Sequence, residues 1–173
     1  LVHSGAMPRA YQPASTNTNK SKTFHADTRL PDGSPAPLVD CGSKGNLCGS
    51  EWARHCAQEA PNHKPTPEEH TRESVSNVIG VGKGHEECTH DVTFPVSLRR
   101  ANEGPPLEGA FRTPVVDSSM LPALWGMQSL MENRCIIDLI NMRVYMCGQG
   151  DPNIELPPGS ETLQGCLSPS GHL

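Results

Sequence analysis

The chain has 173 residues, enough for one domain with a real core and too few for two large ones. Its formal net charge is −5 and no basic stripe is visible, which argues against a nucleic-acid binder; no apolar run approaches the roughly 20 residues needed to cross a bilayer. With 16 glycines and 17 prolines beside 35% hydrophobic residues, the chain reads as loop-rich and all-β rather than as a helical bundle.

The chain begins with Leu1 instead of Met and shows no signal-peptide pattern, so it is expected to be a piece of a longer, intracellular translation product. Residues 1–21 are polar and read as a poorly ordered linker that cannot bury enough surface to offset chain entropy. From Phe24 to Leu30 apolar and polar residues alternate, which is a strand period. Pro31-Asp-Gly-Ser34 is a turn, and Ala36 to Val39 is the returning strand, ending at Asp40. Asn46-Leu-Cys48 is short and extended. Ser50 predicts a helix N-cap, with Cys48, Trp52, Cys56 and Ala60 as one apolar stripe, Ala53 and Ala57 beside it, and Pro61 as the stop.

Residues 62–74 are polar and read as a surface insertion. Val78 to Gly84 is a glycine-spaced apolar segment. Val92, Phe94, Val96 and Leu98 alternate with polar residues as a strand, and Pro95 places that strand at an edge or bulge. A Gly/Pro loop over 101–109 precedes a strand from Phe111 to Val116. Leu121 to Gly126 leads into a short helix over Met127 to Asn133, with Met127, Leu130 and Met131 inward. Cys135 to Asp138 and Val144 to Met146 read as closing strands. The tail, residues 151–173, is a Pro-rich extension with one weak strand from Glu161 to Leu167.

The seven cysteines (Cys41, Cys48, Cys56, Cys88, Cys135, Cys147 and Cys166) are odd in number and contain no CxxC, so they read as reduced thiols, mostly small hydrophobes. The glycine segment is not a phosphate loop: Lys83 is followed by Gly84 instead of Ser or Thr, and His85 breaks GxGxxG. His85-Glu-Glu-Cys-Thr-His90 resembles a zincin motif with one residue too many, and its histidines would not share a helix face. A zinc-stabilised binding domain built on His85, Cys88 and His90 with His55 or Cys56 is a third alternative; no metal and no cofactor is expected.

Four features occur in the order found in retropepsin-like aspartic proteases. Leu38-Val-Asp-Cys-Gly-Ser43 resembles the apolar-apolar-Asp-Thr/Ser-Gly-Ala/Ser signature. Val78 to Gly84 sits where the family has its flap hairpin. Leu124-Trp-Gly126 followed by Leu130 resembles the apolar-apolar-Gly element and its short helix. Cys135-Ile-Ile-Asp138 and then Val144-Tyr-Met146 resemble the family's ending. The resemblance covers roughly Thr23 to Met146, within a domain set at 22–150. It is closest to proteases of copia-like retroelement polyproteins, and Pro157-Pro-Gly-Ser-Glu-Thr162 downstream fits them too.

The resemblance implies a single-lobed acid-protease β-barrel with one or two short helices, completed by homodimerisation. Asp40 would be catalytic, in an active-site loop with Cys41, Gly42 and Ser43. Ile79, Gly80, Val81, Gly82, Lys83 and Gly84 would form the flap, and Leu124, Trp125 and Gly126 would support the site from beneath. The partners implied are a second copy and an extended polypeptide substrate, with no nucleic acid and no membrane, in the cytoplasm or in retroelement particles. One Asp-x-Gly-Ser per chain implies an isologous dimer with Asp40 of each copy at the axis. Asp138 reads as structural. The sequence departs from the family at Cys41, where Thr or Ser is usual, at Trp125, which is larger than the usual Leu or Ile, and at Lys44 and Met127, where many viral members carry an acid and an arginine. The thiol of Cys41 is a weak hydrogen-bonding group. The alternative is therefore a catalytically weak or inactive dimerisation or peptide-binding module, a retroelement relic.

Overall fold

The computed structural model describes residues 29–59, 66–79 and 85–172. The expected linker, the first arm of the N-terminal hairpin as far as Thr28, Ala60 and Pro61 at the end of the helix, and Gly80 to Gly84 lie outside the described residues. Strands β1 (Leu38–Asp40) and β2 (Cys48–Gly49) precede helix α1 (Ser50–Glu59). Three long strands follow: β3 (Glu68–Ile79), β4 (His85–Leu98) and β5 (Leu107–Val116). Then come β6 (Leu124–Gly126), α2 (Met127–Glu132), β7 (Cys135–Asp138) and β8 (Arg143–Met146).

The described residues are mainly β, with two short helices, and their strands do not close into the expected barrel. They form a four-stranded sheet in the order β2-β5-β4-β3 and two two-stranded sheets, β1-β6 and β7-β8. A barrel needs an unbroken ladder of hydrogen bonds around its circumference. Here β1 and β6 are three residues each and pair in parallel, with one further bridge from Leu124 to Leu47, while β7 and β8 pair as a separate antiparallel hairpin.

Strand period two divides the large sheet into two faces. Phe111 and Val115 of β5, with Phe94 of β4, face α1 and pack with Cys48 and Ala123; Trp52, Ala53 and Cys56 of the helix cover them. Trp52 meets Phe94 edge-on, with ring centroids 5.1 Å apart and planes at 80°, a geometry aromatic quadrupoles favour. Ala57, expected beside the stripe, is exposed. The helix starts where the backbone N–H of Glu51 donates to the Ser119 carbonyl, and Glu51 in the first turn complements the helix dipole. Leu47, Cys88 and Val116 form a second, smaller cluster with Val78, Leu121 and Leu124.

Other differences from the sequence reading have local causes. The polar stretch expected as an insertion is strand from Glu68 onward: pairing of Glu68 to Thr71 with His90 to Thr93 supplies the hydrogen bonds that its composition did not advertise. The Gly/Pro loop ends at Pro106, because Leu107 to Ala110 pair with Pro95 to Leu98. Pro95 sits beyond Thr93, the last β4 residue that pairs with β3, so its missing N–H costs no ladder bond on that side. In α2 only Leu130 is buried, and Met131 is exposed. The tail from Glu161 to Leu167 is exposed and forms no strand, since it pairs with none of the described strands. Among the described residues no helix is long and apolar enough to cross a membrane.

Candidate functional site

Asp40 ends β1, beside Gly126 at the end of the parallel strand β6. The chain then turns through Cys41 to Gly45. Gly42 N–H donates to Asp40 Oδ1 at 2.9 Å, and Ser43 N–H donates to the Asp40 carbonyl at 3.2 Å. Ser43 Oγ donates to the Gly45 carbonyl at 2.7 Å, closing the second half of the loop. Among the described residues none donates to Asp40 Oδ2. Gly42 is not in the left-handed region. What glycine provides there is room, since a Cβ would stand 3.1 Å from Asp40 Oδ1.

The loop is bonded to what lies beneath it. Met127 N–H donates to the Ser43 carbonyl and Gln128 N–H to the Lys44 carbonyl, both at 2.8 Å. These satisfy the first free donors of α2, whose N-cap Gly126 offers no side chain. Gly126 stacks directly on Gly45, and a methyl at 126 would collide with the Gly45 backbone. Asn46 completes the joint: its Oδ1 accepts from Gly126 N–H at 3.0 Å and its Nδ2 donates to the Arg112 carbonyl at 2.9 Å.

Asp40, Gly42, Ser43 and Leu124 line one wide groove of about 1030 Å³. Asn77 and Val78, in the stem of the β3–β4 hairpin, line it from another side, and Ala110, Arg112 and Pro114 of β5 form its wall. The hairpin stem pairs as far as Ile79 with His85; the expected flap residues Gly80, Val81, Gly82, Lys83 and Gly84 lie outside the described residues. Cys41 is exposed and does not line the groove. Trp125 lies on the far side of β6, donates from Nε1 to Ser129 Oγ at 3.0 Å, and lines a separate cavity of about 250 Å³ with Phe111 and Met146.

The groove holds a charged cluster that sequence reading did not find. Asp91 of β4 is buried, and both its carboxylate oxygens are occupied. Arg72 Nη1 pairs with Oδ1, while Arg112 reaches Oδ2 from Nε at 3.0 Å and from Nη2 at 2.9 Å. Asp91 pairs with His70 on β3 and with Pro114 on β5, which makes Arg112 its diagonal neighbour, while Arg72 reaches it from the start of the irregular stretch that follows Thr71. No motif joins three residues on three strands; the alternation around Val92 and Phe94 was the one available hint that Asp91 faces away from the apolar core. His172 of the tail also lines the groove, and Gly171 packs on the Lys44 side chain.

Neither a family model, nor a curated protein, nor a solved structure matches this chain.

All seven cysteines are free thiols. Burial pushes the thiols of Cys48 and Cys56 up to about 12, and raises Cys88 and Cys135 in the same direction. Such groups are poor nucleophiles and poor ligands. Among the described residues no three His, Cys, Asp or Glu side chains converge as metal ligands. Asp138 accepts from the Ile140 and Asn141 N–H groups at 3.0 Å each, from Asn141 Nδ2 and from the Tyr145 hydroxyl. It organises the β7–β8 turn.

Proposed function

We propose that this chain is a retropepsin-type aspartic endopeptidase from a copia-like retroelement polyprotein, one lobe of a homodimer in which two Asp40 side chains form the catalytic pair. The observation that carries the reading is the seat of Asp40. A tight Asp-x-Gly-Ser loop ends one strand, is closed against the Gly126 end of a parallel strand, and opens on a groove lined by the stem of a hairpin.

Hydrolysis of a peptide needs an activated water and an acid for the leaving amine. Two adjacent carboxylates cannot both stay ionised, so such a pair shares one proton and titrates as a unit. The ionised member takes a proton from water as the water attacks the scissile carbonyl. The protonated member supplies the proton that the leaving amine requires. In this chain the Gly42 N–H fixes Oδ1 and leaves Oδ2 for the water and the partner carboxylate. The β3–β4 hairpin would close over an extended substrate and exclude bulk water. Exposed apolar side chains support a second copy as partner: in and beside the β7–β8 hairpin, Ile140 is 93% and Met142 84% exposed, with Leu139, Tyr145 and Met146 nearby in the chain.

Cys41 favours a second reading, a weak or inactive dimerisation or peptide-binding module. It presents an exposed thiol where a hydroxyl bonding across the dimer would stiffen the loop. One comparison separates the two. Wild type and Asp40→Asn are assayed on a labelled peptide library, with sedimentation to read the oligomeric state. The endopeptidase reading expects cleavage by a wild-type dimer, its loss in the variant, and tight binding of a statine-type transition-state analogue by the wild type. Cleavage that survives Asp40→Asn sinks it. A dimer that binds peptide without cutting it supports the module.

A further inference from the structure

We infer that the face formed by Arg72, Asp91 and Arg112 is a subsite for an acidic side chain of the polypeptide that enters the Asp40 groove. The inference rests on the endopeptidase reading and names its substrate class.

The cluster carries one charge more than it needs. A single carboxylate faces two guanidinium groups, so the trio is cationic by one unit. Exposure is graded in the direction a binding site requires. The Asp91 side chain is 8% exposed, Arg72 26% and Arg112 63%. Asp91 is thus the buried anchor, and Arg112 is the arm that reaches solvent within the groove. Arginine has five N–H donors in a rigid planar fork. Arg112 commits Nε and Nη2 to Asp91, which sets the plane of the fork, and its remaining donors stay available to a second carboxylate.

Position relative to the chemistry is also fixed. Asn46 bonds the Arg112 carbonyl with one end of its amide and the Gly126 N–H with the other. Gly126 in turn carries the Asp40 loop. The stretch of β5 backbone that carries Arg112 is therefore tied to the Asp40 loop, and Asp91 holds the side chain itself. Lys44 lines the same groove and adds a further positive charge. The remaining groove carboxylate besides Asp40 and Asp91, Glu132, accepts from Gln128 Nε2 at 3.0 Å. A purely structural ion-pair cluster would need only one arginine to neutralise Asp91, and would leave substrate preference untouched.

The test uses labelled peptides that carry Glu or Gln at one position, with the neighbouring positions randomised. The full chain is assayed for kcat/KM, and the Asp40→Asn protein for peptide binding by fluorescence polarisation. Wild type is expected to favour Glu over Gln at one position by about 10- to 100-fold, the size of a charge-assisted hydrogen bond in a half-buried site. Within Arg112→Gln the Glu-to-Gln ratio should fall towards one. Within Arg112→Lys, which keeps the charge and loses the fork, the preference should persist but shrink. The wild-type ratio stands as a test even if a variant does not fold. Cleavage with no Glu preference at any position overturns the subsite and leaves the endopeptidase reading intact. Binding with an Arg112-dependent Glu preference, but no cleavage by wild type, supports the subsite and overturns the endopeptidase reading. Neither binding nor cleavage overturns both.

Discussion

Gly126 at the end of β6 and Gly45 in the Asp40 loop touch backbone to backbone, with no room between them for a side chain. The contact is one-sided. A Cβ built on Gly126 collides with the Gly45 backbone, whereas one built on Gly45 meets nothing within 4 Å. Gly126→Ala is therefore expected to destabilise by about 1–3 kcal/mol, the range for overpacking a well-filled site. Gly45→Ala should stay within about 0.5 kcal/mol of wild type. Denaturant unfolding of the two variants checks the contrast, and equal effects would contradict the stacking.

Trp52 has an indole N–H that is buried without a hydrogen-bond partner among the described residues. Its ring nevertheless packs against Phe94 and Phe111. An unpaired buried donor costs about 1–3 kcal/mol. Trp52→Phe removes that cost along with some contact area, and stability should stay within about 1 kcal/mol of wild type. Trp52→Ala should lose about 3–5 kcal/mol. Thermal or urea unfolding measures both. A large loss in Trp52→Phe would mean that the N–H has a partner.

The cysteines should divide by reactivity. Cys41 and Cys166 are exposed, whereas Cys48 is buried and burial pushes Cys48 and Cys56 up to about 12. Brief alkylation of the native chain at mildly alkaline pH, followed by peptide mass mapping, should modify Cys41 and Cys166 first. Cys48 should react only on unfolding. Prompt labelling of Cys48 in the native chain would contradict its place under α1.

Asp138 is set to lose its hold in acid. Hydrogen bonds, chiefly from Asn141 and then Tyr145 and Ile140, hold its carboxyl below the ordinary value of 3.8. A carboxyl depressed by folding stabilises fully above its unfolded value, and that contribution disappears as pH falls through the folded one. The β7–β8 turn should therefore be intact from neutral pH down to about 4 and loosen below it. Acid titration followed through the Asn141 side-chain amide and Tyr145 resonances reads this directly. Asp138→Ala should show the loosened signals already at neutral pH.

Local chemistry made much of the chain legible. Pro31-Asp-Gly-Ser34 forms a turn, with Gly33 at φ 86° and Ser34 N–H bonded to Asp32 Oδ1. The apolar stripe at Trp52 and Cys56 lies on a helix against the core, and Phe94 and Phe111 occupy strands. The polar residues Glu68 to Ser74 were opaque, because the half-buried positions His70 and Arg72 are themselves polar and leave no hydrophobic period, and only pairing with β4 reveals the strand. Sheet closure was equally hidden, since the length of a strand does not say which strand it will bond. The same holds for the candidate site. Asp40, Gly42 and Gly126 stand out in the sequence through motifs that resemble those of a family. Asn46, Arg72, Asp91 and Arg112 meet only through strand register and a bridge between Asn46 and Arg112 spanning 66 positions of sequence.

The joint between the Asp40 loop and α2 consists largely of main chain: two carbonyls, two N–H groups and a glycine contact. A hinge made this way is blind to the identity of the residues that carry it. Substitutions at Lys44, Met127 and Gln128 can alter what the surface offers to a visitor while the carboxylate stays where it was, whereas Gly126 has no such licence. Variation among related chains should therefore crowd around the rim of the loop and thin out at its foot.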